Sequence, residues 1–350
     1  MRVIASVLGH FGEGRILLNG QTVKTKIVTE ELQNKLGWDQ VAKIDTHGRW
    51  KALLKAPFQV FRALKNSENI LIFPAQNGLR IYAPLLSFQR CFFRNRKIHY
   101  VVIGGWLPSF LYSRKRLSKV LKGFDGIYVE TNTMKKALEA QGFGNVFLMP
   151  NFKNIRVLSP EELVYSSEVP YRLCTFSRVM KEKGIELAVD TVQRVNEKLG
   201  YAAFSLDIYG QVDALQREWF ENIKSRFSNS VRYCGYVESD RSVDILQQYF
   251  ALVFPTQFYT EGIPGSIIDA YAAGVPVIAA KWESYSDVID DGISGIGYDF
   301  DHGEDLERIL TDVANEPEIM LQLKKNCIQK AKEFFPESSL QILFEQMKGN

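Results

Sequence analysis

The stretch from Phe254 to Ile278 reads FPTQFYTEGIPGSIIDAYAAGVPVI, and its pattern indicates the class of fold. The apolar run 251–255 predicts a short strand that ends in a loop rich in glycine and proline. Ser266 then has the chemistry of a helix N-cap. The helix predicted from there ends at Gly274, and a second apolar run follows. A strand, a loop, a helix and another strand in this order are typical of a parallel α/β sheet.

The loop in this stretch has the makings of an anion site. Gly262 and Gly265 allow backbone N–H groups to face a ligand, and a helix N-terminus behind such a loop attracts negative charge. Glu261 precedes the loop, and Asp269 lies within the helix that follows it. An anion cradle flanked by two carboxylates suits a ligand that carries both phosphates and hydroxyls, such as a nucleotide sugar.

These residues resemble the signature of family-4 glycosyltransferases, which are retaining enzymes of the GT-B fold. The usual pattern has two glutamates separated by seven residues, whereas here Glu261 is followed by Asp269, whose side chain is one methylene shorter. The resemblance implies that Glu261 contacts hydroxyls of the transferred sugar and that Asp269 contacts the nucleotide ribose. A simpler role for Asp269 is to stabilise a helix dipole from the first turn. The other residues predicted to bind the donor here are Gly262, Ile263, Pro264, Gly265, Ser266 and Gly210.

A second motif, SRVMKEKG at 177–184, follows a predicted strand and opens a predicted helix. Arg178 can bind two phosphate oxygens at once, and Lys183 adds a point charge. By the resemblance, these two residues bind the donor diphosphate and act in catalysis together with Glu261. The alternative is an ordinary solvated basic loop.

Strand-like and helix-like segments alternate along both halves of the chain of 350 residues. The sequence therefore predicts an α/β protein of the GT-B type, with two doubly wound Rossmann-like domains facing a cleft. We expect an acceptor-binding domain at 1–155 and a nucleotide-sugar domain at 165–335, with a last helix at about 336–350 crossing back to the first domain. A single amphipathic helix is predicted from Leu111 to Leu121.

The N-terminal half offers weaker candidates. Gly20, Gln21 and Thr22 begin a predicted helix and resemble the Gly-rich first loop of the family, which implies a part in donor binding, although a flexible turn explains them equally well. Gly104, Gly105 and Trp106 follow a predicted strand and are candidates for contact with the acceptor, and Trp106 has a packing role as its alternative. Many relatives carry a histidine in this loop, which the present sequence lacks.

Charge is unevenly distributed along the chain. Residues 1–150 carry a net charge of +14 and the remainder −11. Ten basic residues and no acidic one occur from Arg80 to Lys122. Such a field attracts anionic membranes or lipid pyrophosphates. Nucleic acid is not expected, because no nucleic-acid motif accompanies the charge. The residues predicted to face a membrane are Arg114, Lys115, Arg116, Lys119 and Lys122, and the alternative for them is an ordinary solvated helix face.

No apolar run is long enough to span a membrane, and the four cysteines lack metal-site spacing. We expect a cytoplasmic protein, peripheral on the inner face of the plasma membrane, that uses neither a metal nor a cofactor. The sequence does not predict an oligomeric state.

The predicted activity is retaining transfer of a hexose-type sugar from a nucleotide-diphosphate sugar, with UDP favoured, to a saccharide acceptor. The acceptor is expected to be lipid-linked, in cell-surface polysaccharide synthesis such as that of capsule or O-antigen. The alternatives are a GT-B sugar-nucleotide epimerase, a phosphorylase, or an inactive module that only binds sugar nucleotides.

Overall fold

The computed structural model describes residues 3–12, 20–46, 49–166 and 168–348, and for residues 49–53 it describes the backbone alone. The chain divides into two compact units. Met1–Asn151 with Pro336–Asn350 forms the first, and Phe152–Phe335 forms the second.

The first unit contains one parallel sheet of six strands in the order β2-β1-β3-β4-β5-β6. Its strands are β1 Val3–Gly9, β2 Val41–Asp45, β3 Ser67–Ile72, β4 Lys97–Val101, β5 Gly126–Val129 and β6 Val146–Leu148. Its helices are α1 Gly20–Leu36, α2 Arg49–Asn66, α3 Gln76–Arg90, α4 Leu107–Tyr112, α5 Lys115–Leu121, α6 Asn132–Ala140 and, from the end of the chain, α13 Pro336–Lys348. Consecutive core residues Ile70, Leu71 and Ile72 are all fully buried, as expected for a parallel strand with helices on both faces.

The last helix belongs to the first unit. Lys97, at the start of β4, donates from its ammonium to the carbonyls of Gln346 and Met347, at 2.9 and 3.3 Å. These carbonyls lie in the last turn of α13, where a cation is favourable because the carbonyls have no partner within the helix.

The second unit also contains six parallel strands, in the order β12-β11-β10-β7-β8-β9. Its strands are β7 Tyr171–Phe176, β8 Phe204–Tyr209, β9 Val231–Gly235, β10 Ala251–Phe254, β11 Val277–Lys281 and β12 Gly295–Asp299. Its helices are α7 Ile185–Leu199, α8 Arg217–Lys224, α9 Ser242–Leu246, α10 Gly265–Ala272, α11 Asp305–Asn315 and α12 Glu318–Ala331. Within the unit this is the Rossmann order of strands. The predicted α/β class with two Rossmann-like units is confirmed.

Single turns of 3₁₀-helix complete the secondary structure of the described residues. They lie at Trp38–Gln40, Pro160–Glu162, Lys181–Lys183, Ser239–Arg241, Tyr285–Asp287 and Lys332–Phe334.

The prediction of one helix from Leu111 to Leu121 is wrong, because the segment forms α4 and α5 with a break at Arg114. The backbone there has φ −112° and ψ 58°, outside the helical region. Residues six apart on an unbroken helix point about 120° away from each other. The break allows Leu111 and Leu117 to enter the same core.

Three elements of the first unit have no counterpart among the predictions, namely β2, α2 and α3, and β12, α11 and α12 of the second unit have none either. Pro57 and Pro84 lie inside α2 and α3. Proline disfavours a helix interior in isolation because it removes a hydrogen bond and clashes with the preceding turn. Burial of Ala56, Val60 and Leu79 against the sheet holds both helices nevertheless.

Candidate functional site

The candidate site lies at the carboxyl edge of the sheet in the second unit. β7 and β10 are neighbours there, and the strand order reverses between them. Ligands of open α/β sheets bind at such a switch point, outside the carboxyl ends of the strands. The segments that leave these two strands are 177–184 and 255–264, which are the two sequence motifs.

Two glycines bring the backbone segments at this edge unusually close together. Gly184 has φ +68°, and a Cβ atom there would lie 1.8 Å from the carbonyl oxygen of Pro255. Gly210 has φ +136°, and its Cβ would lie 1.7 Å from the carbonyl oxygen of Ser177. Only glycine fits either position. A backbone reason therefore accounts for Gly210, and its part in donor binding stays a prediction.

Lys183 and Glu261 form an ion pair across the two loops. Their side chains are 17% and 15% exposed, so the pair is largely shielded from water while still reaching the surface. Thr256 donates its hydroxyl to the same carboxylate oxygen at 3.0 Å. The structure thus brings together two residues 78 positions apart in the chain, one from each motif, and their roles toward a donor stay predictions.

Aromatic rings surround the ammonium of this pair. The Nζ atom of Lys183 lies 5.4 Å from the ring centre of Phe254 and 5.2 Å from that of Phe258. Both distances allow cation–π attraction. The backbone N–H of Gln257 also donates to the carbonyl of Glu182, at 2.8 Å, which ties the two loops together. Contacts within the second unit therefore hold the Lys183 ammonium in position.

Arg178 does not join this pair. Its guanidinium lies 3.6 Å from the carboxylate of Asp213, and its side chain is 53% exposed. An exposed pair of this kind contributes little stability, so the side chain can leave it at small cost. Arg178 shares the loop with Lys183, but the sequence did not indicate its partner.

The helix after the loop begins two residues earlier than predicted. Pro264 is the N-cap of α10, Gly265 is its first residue, and Ser266 lies within the first turn. The prediction of Ser266 as N-cap is wrong, because the backbone N–H of Ile267 already donates to the carbonyl of Pro264 at 3.1 Å. The side chain of Ile263 is buried in the core, so only its backbone is available to a ligand.

Asp269 is the fifth residue of α10, and its side chain is only 3% exposed. Both of its carboxylate oxygens accept hydrogen bonds from the ammonium of Lys153, at 2.7 and 2.5 Å. Burial raises the pKa of the Asp269 carboxyl, and Lys153 and a hydrogen bond from Ser242 oppose that shift. The suggestion that Asp269 acts from the first turn of the helix is wrong, and its ribose contact stays a prediction.

Sequence reasoning missed Lys153. It lies in the irregular segment before β7, where no motif or periodicity draws attention to a single lysine. Its side chain also lies beside the start of α10, because a Cβ atom on Gly265 would be 3.1 Å from the Cε atom of Lys153. Only the folded chain reveals this cation.

The candidates at the carboxyl edge of the first sheet lie at the start of α1. Gly20 and Gln21 are its first two residues, and Gln21 donates its amide to the carbonyl of Phe73 at 2.9 Å. Thr22 lies 2.7 Å from Nδ1 of His10, a contact that the sequence did not indicate. Residues 13–19, which precede α1, are outside the described residues.

A buried ion pair at the same edge was also missed. Lys24 lies 3.2 Å from Glu130, and both side chains are 4% exposed. Burial lowers the pKa of Lys24, and the negative charge of Glu130 opposes that shift. Asn151 accepts a further hydrogen bond from Lys24 at 3.1 Å.

The segment Gly104-Gly105-Trp106 follows β4, as predicted. The indole N–H of Trp106 donates to the carbonyl of Ile103 at 2.8 Å, and its ring packs edge-on against Phe110 with centres 5.3 Å apart. These contacts favour the packing role of Trp106, and contact of the segment with an acceptor stays a prediction.

The five predicted membrane-facing cations do not behave alike. Arg114 donates to the carbonyl of Phe110 and lies 3.9 Å from that ring, and Lys122 donates to the carbonyl of Gln141 at 2.8 Å. Lys115, Arg116 and Lys119 have exposed side chains.

The described residues contain neither a membrane-spanning helix nor a cluster of metal-ligating side chains. No helix among them is long and apolar enough to cross a bilayer. Within the same ranges, no three His, Cys, Asp or Glu side chains are grouped as a metal site requires.

The second unit resembles a known protein family in sequence. Residues 170–315 match the family model of glycosyl transferases group 1. The GtfA subunit of a UDP-N-acetylglucosamine–peptide N-acetylglucosaminyltransferase from Streptococcus pneumoniae is 30% identical over 207 residues. That match covers 57% of this chain but only 39% of GtfA, so the chain spans well under half of this curated relative.

Solved structures extend the likeness to both units. HepE from Anabaena, in complex with UDP-glucose, has a TM-score of 0.73 at 13% identity, covering 99% of this chain and all of HepE. TarM from S. aureus has a TM-score of 0.66 at 18% identity, covering 85% of this chain and 59% of TarM. At these identities the likeness establishes the fold, which is GT-B. The family-model match over residues 170–315 adds a sequence likeness of the second unit to glycosyl transferases group 1.

Proposed function

We propose that this protein transfers a hexose-type sugar from a nucleotide-diphosphate sugar to a saccharide acceptor, with retention of the anomeric configuration and without a metal. The observation that carries the proposal is the Lys183–Glu261 pair at the switch point of the second sheet. A shielded cation next to a carboxylate, at the edge where such sheets bind ligands, suits a diphosphate joined to a polyol.

Lys183 and Glu261 have different roles in the proposed reaction. Lys183 stabilises the negative charge that develops on the leaving diphosphate as the bond from sugar to phosphate breaks. Arg178 adds two donors after leaving Asp213, and the first N–H groups of α10 add their partial charge. Glu261, released from Lys183 by the diphosphate, accepts hydrogen bonds from sugar hydroxyls and orients the ring. A phosphate oxygen of the donor takes the proton of the acceptor hydroxyl.

Several structural relatives support UDP as the nucleotide. HepE has been solved with UDP-glucose, and pneumococcal GtfA with UDP and GlcNAc. For the acceptor we propose a lipid-linked saccharide at the cytoplasmic face of the membrane, in cell-surface polysaccharide synthesis. The net charge of +14 in residues 1–150 supports this, and so does the structural likeness to WaaB, a lipopolysaccharide outer core galactosyltransferase.

A thermal-shift screen against UDP-, GDP-, ADP- and dTDP-sugars tests the donor. A ligand that binds only the folded state, at 100 times its dissociation constant, adds about 2.7 kcal/mol of stability. We expect one nucleotide class to raise the melting temperature, and the shift to survive EDTA. A shift lost in EDTA would contradict a metal-independent site, and the absence of any shift with or without acceptor would contradict the proposal.

One substitution tests whether Lys183 itself stabilises the transition state, or whether any basic residue of the same loop would serve. Lys183→Ala should lower transfer by about 100-fold or more, since it removes a charge that stabilises the transition state. Lys181→Ala is the matched control, because Lys181 lies in the same 3₁₀ turn with an exposed side chain. Equal activities for the two variants would contradict the role of Lys183.

A second candidate is a module that binds sugar nucleotides without transferring the sugar. The lack of a histidine in the loop at Gly104–Trp106, where many relatives carry one, favours it. Tight donor binding with neither hydrolysis nor transfer, in the presence of lipid-linked acceptors, would select this candidate. Product analysis without acceptor separates an epimerase or a phosphorylase from both.

A further inference from the structure

Helix α2 carries two apolar stripes, and only one of them is buried. Ala56, Val60 and Ala63 are fully buried against the first unit. Leu54 and Phe58, by contrast, are 73% and 70% exposed. An amphipathic helix of a globular protein has one apolar stripe facing the core and a polar face opposite. The second stripe on α2 therefore needs an explanation.

This exposed stripe continues onto the neighbouring helix. Leu54, Phe58 and Phe61 follow the spacing i, i+4, i+7, which places them on one side of α2. α2 packs on α3, and the ring of Phe61 meets that of Phe93, just after α3, at 5.4 Å. The exposed apolar residues of this surface, named here the aromatic ridge, are Leu54, Phe58, Phe61, Phe88 and Phe92.

Basic side chains border the ridge. Residues 46–124 contain 15 Lys and Arg but a single acidic residue, Glu68. Lys55, Arg62 and Lys65 on α2 have exposed side chains between and beside the ridge residues. A large exposed apolar patch rimmed by charge of one sign marks an interaction surface.

A cavity next to the ridge has the same mixed character. It has a volume of about 680 Å³ and lies where α3 meets the segment from Ser113 to Val120. Arg80, Lys115 and Arg116 line it together with the apolar Pro84 and Leu117. A lining of both cations and apolar side chains suits a phosphate that is attached to a hydrocarbon chain.

We propose that the aromatic ridge inserts into an anionic lipid bilayer, with the surrounding lysines and arginines on the headgroup phosphates. The inference deepens the proposed membrane location of the acceptor and rests on it. Charge decides between possible occupants, because a second copy of this surface would bring two strongly basic fields together. A soluble polyanion would satisfy the cations but would leave the ridge in water. A basic surface with Phe and Leu on one helix face is the pattern of a helix lying in the membrane interface.

Vesicle flotation of the full chain, without nucleotide, tests this proposal. Vesicles of phosphatidylcholine with about a third phosphatidylglycerol present the anionic surface, and vesicles of phosphatidylcholine alone are the neutral comparison. We expect binding to the anionic vesicles at physiological salt. Replacing both Leu54 and Phe58 with serine should weaken partition about a hundredfold or more, because burial of each large apolar side chain is worth about tenfold or more.

Leu215→Ser is the matched control, because Leu215 is 96% exposed and belongs to the second unit, whereas the ridge belongs to the first. It should bind vesicles like the unchanged protein. The inference is overturned if the unchanged protein does not float, or if the ridge variant floats as well as the control. A dimer in solution that the ridge variant dissociates, without lipid binding, would overturn it in favour of self-association.

The same variants measured for melting-temperature shift with UDP-sugars keep the two proposals apart. A ridge variant that no longer binds vesicles, but whose melting temperature still rises with UDP-sugars, supports the inference. The ridge and the proposed nucleotide site lie in different units. A nucleotide shift without flotation of the unchanged protein rejects only the membrane surface. Flotation without any nucleotide shift rejects only the proposed enzyme.

Discussion

Replacing Lys153 with methionine should destabilise the second unit strongly. The substitution keeps the length and much of the volume of the side chain but removes the ammonium that lies 2.7 and 2.5 Å from the oxygens of Asp269. The side chains are 16% and 3% exposed, so water cannot take over the role of the cation. Removing one partner of a buried ion pair costs about 3–5 kcal/mol. For a unit of this size that corresponds to a fall in melting temperature of about 10 °C.

Two comparison variants show how much of the lost stability is due to burial of the ion pair. Lys281 lies 2.9 Å from Asp291, a similar distance, but these side chains are 38% and 46% exposed. Lys281→Met should therefore cost less than about 1 kcal/mol. The double variant Lys153→Met with Asp269→Leu removes both charges and should recover most of the lost stability, because no buried charge is left without a partner.

The stability of the Lys153→Met variant should depend on pH, because the buried Asp269 carboxyl no longer has a cation beside it. Burial already raises the pKa of Asp269, and loss of the lysine raises it further. A carboxyl whose pKa is higher in the folded than in the unfolded state binds more protons on folding, so stability rises as the pH falls. The deficit relative to the unchanged protein should shrink between pH 7 and pH 5.

Differential scanning calorimetry of the unchanged protein and the three variants, at several pH values, measures these differences. The reasoning fails if Lys153→Met and Lys281→Met lose equal stability, or if the deficit of Lys153→Met grows on acidification. Either result would mean that water reaches the Asp269 carboxylate.

Two further predictions concern the backbone and the thiols. Gly184→Ala should lower the free energy of unfolding in urea by more than about 2 kcal/mol, since its Cβ would lie 1.8 Å from a carbonyl oxygen. Gly200→Ala, with φ +76° and open space around it, should lower it by about 1 kcal/mol. Equal losses would mean that φ alone matters at Gly184. Cys91 is exposed and should react rapidly with a thiol reagent in the native state, whereas Cys327 is buried, with its pKa raised to about 12, and should react only after unfolding. Rapid modification of Cys327 in the folded protein would contradict its burial.

Prediction from the sequence worked best where local pattern and tertiary environment agree. The motif 254–278 forms the predicted strand, loop, helix and strand, because each apolar run is buried in a parallel sheet. The contact of Lys183 with Glu261 was also foreseeable, since both follow strands of one sheet and the carboxyl ends of parallel strands meet at one edge.

Prediction was weakest where a distant contact overrides a local preference. α2 and α3 form despite internal prolines, because their buried faces pack on the sheet. The helix expected at 111–121 breaks at Arg114, because a continuous helix would keep Leu111 and Leu117 apart.

The sequence by itself determined the class of fold and two motifs with the chemistry of a donor site, because the periods of strands and helices and the glycine-rich loops are local properties of the chain. The tertiary structure alone decided which charges meet. It paired Asp269 with a lysine 116 positions away and left a second apolar stripe of α2 exposed. Burial and the partners of a charge depend on segments distant in the sequence, and no local pattern records them.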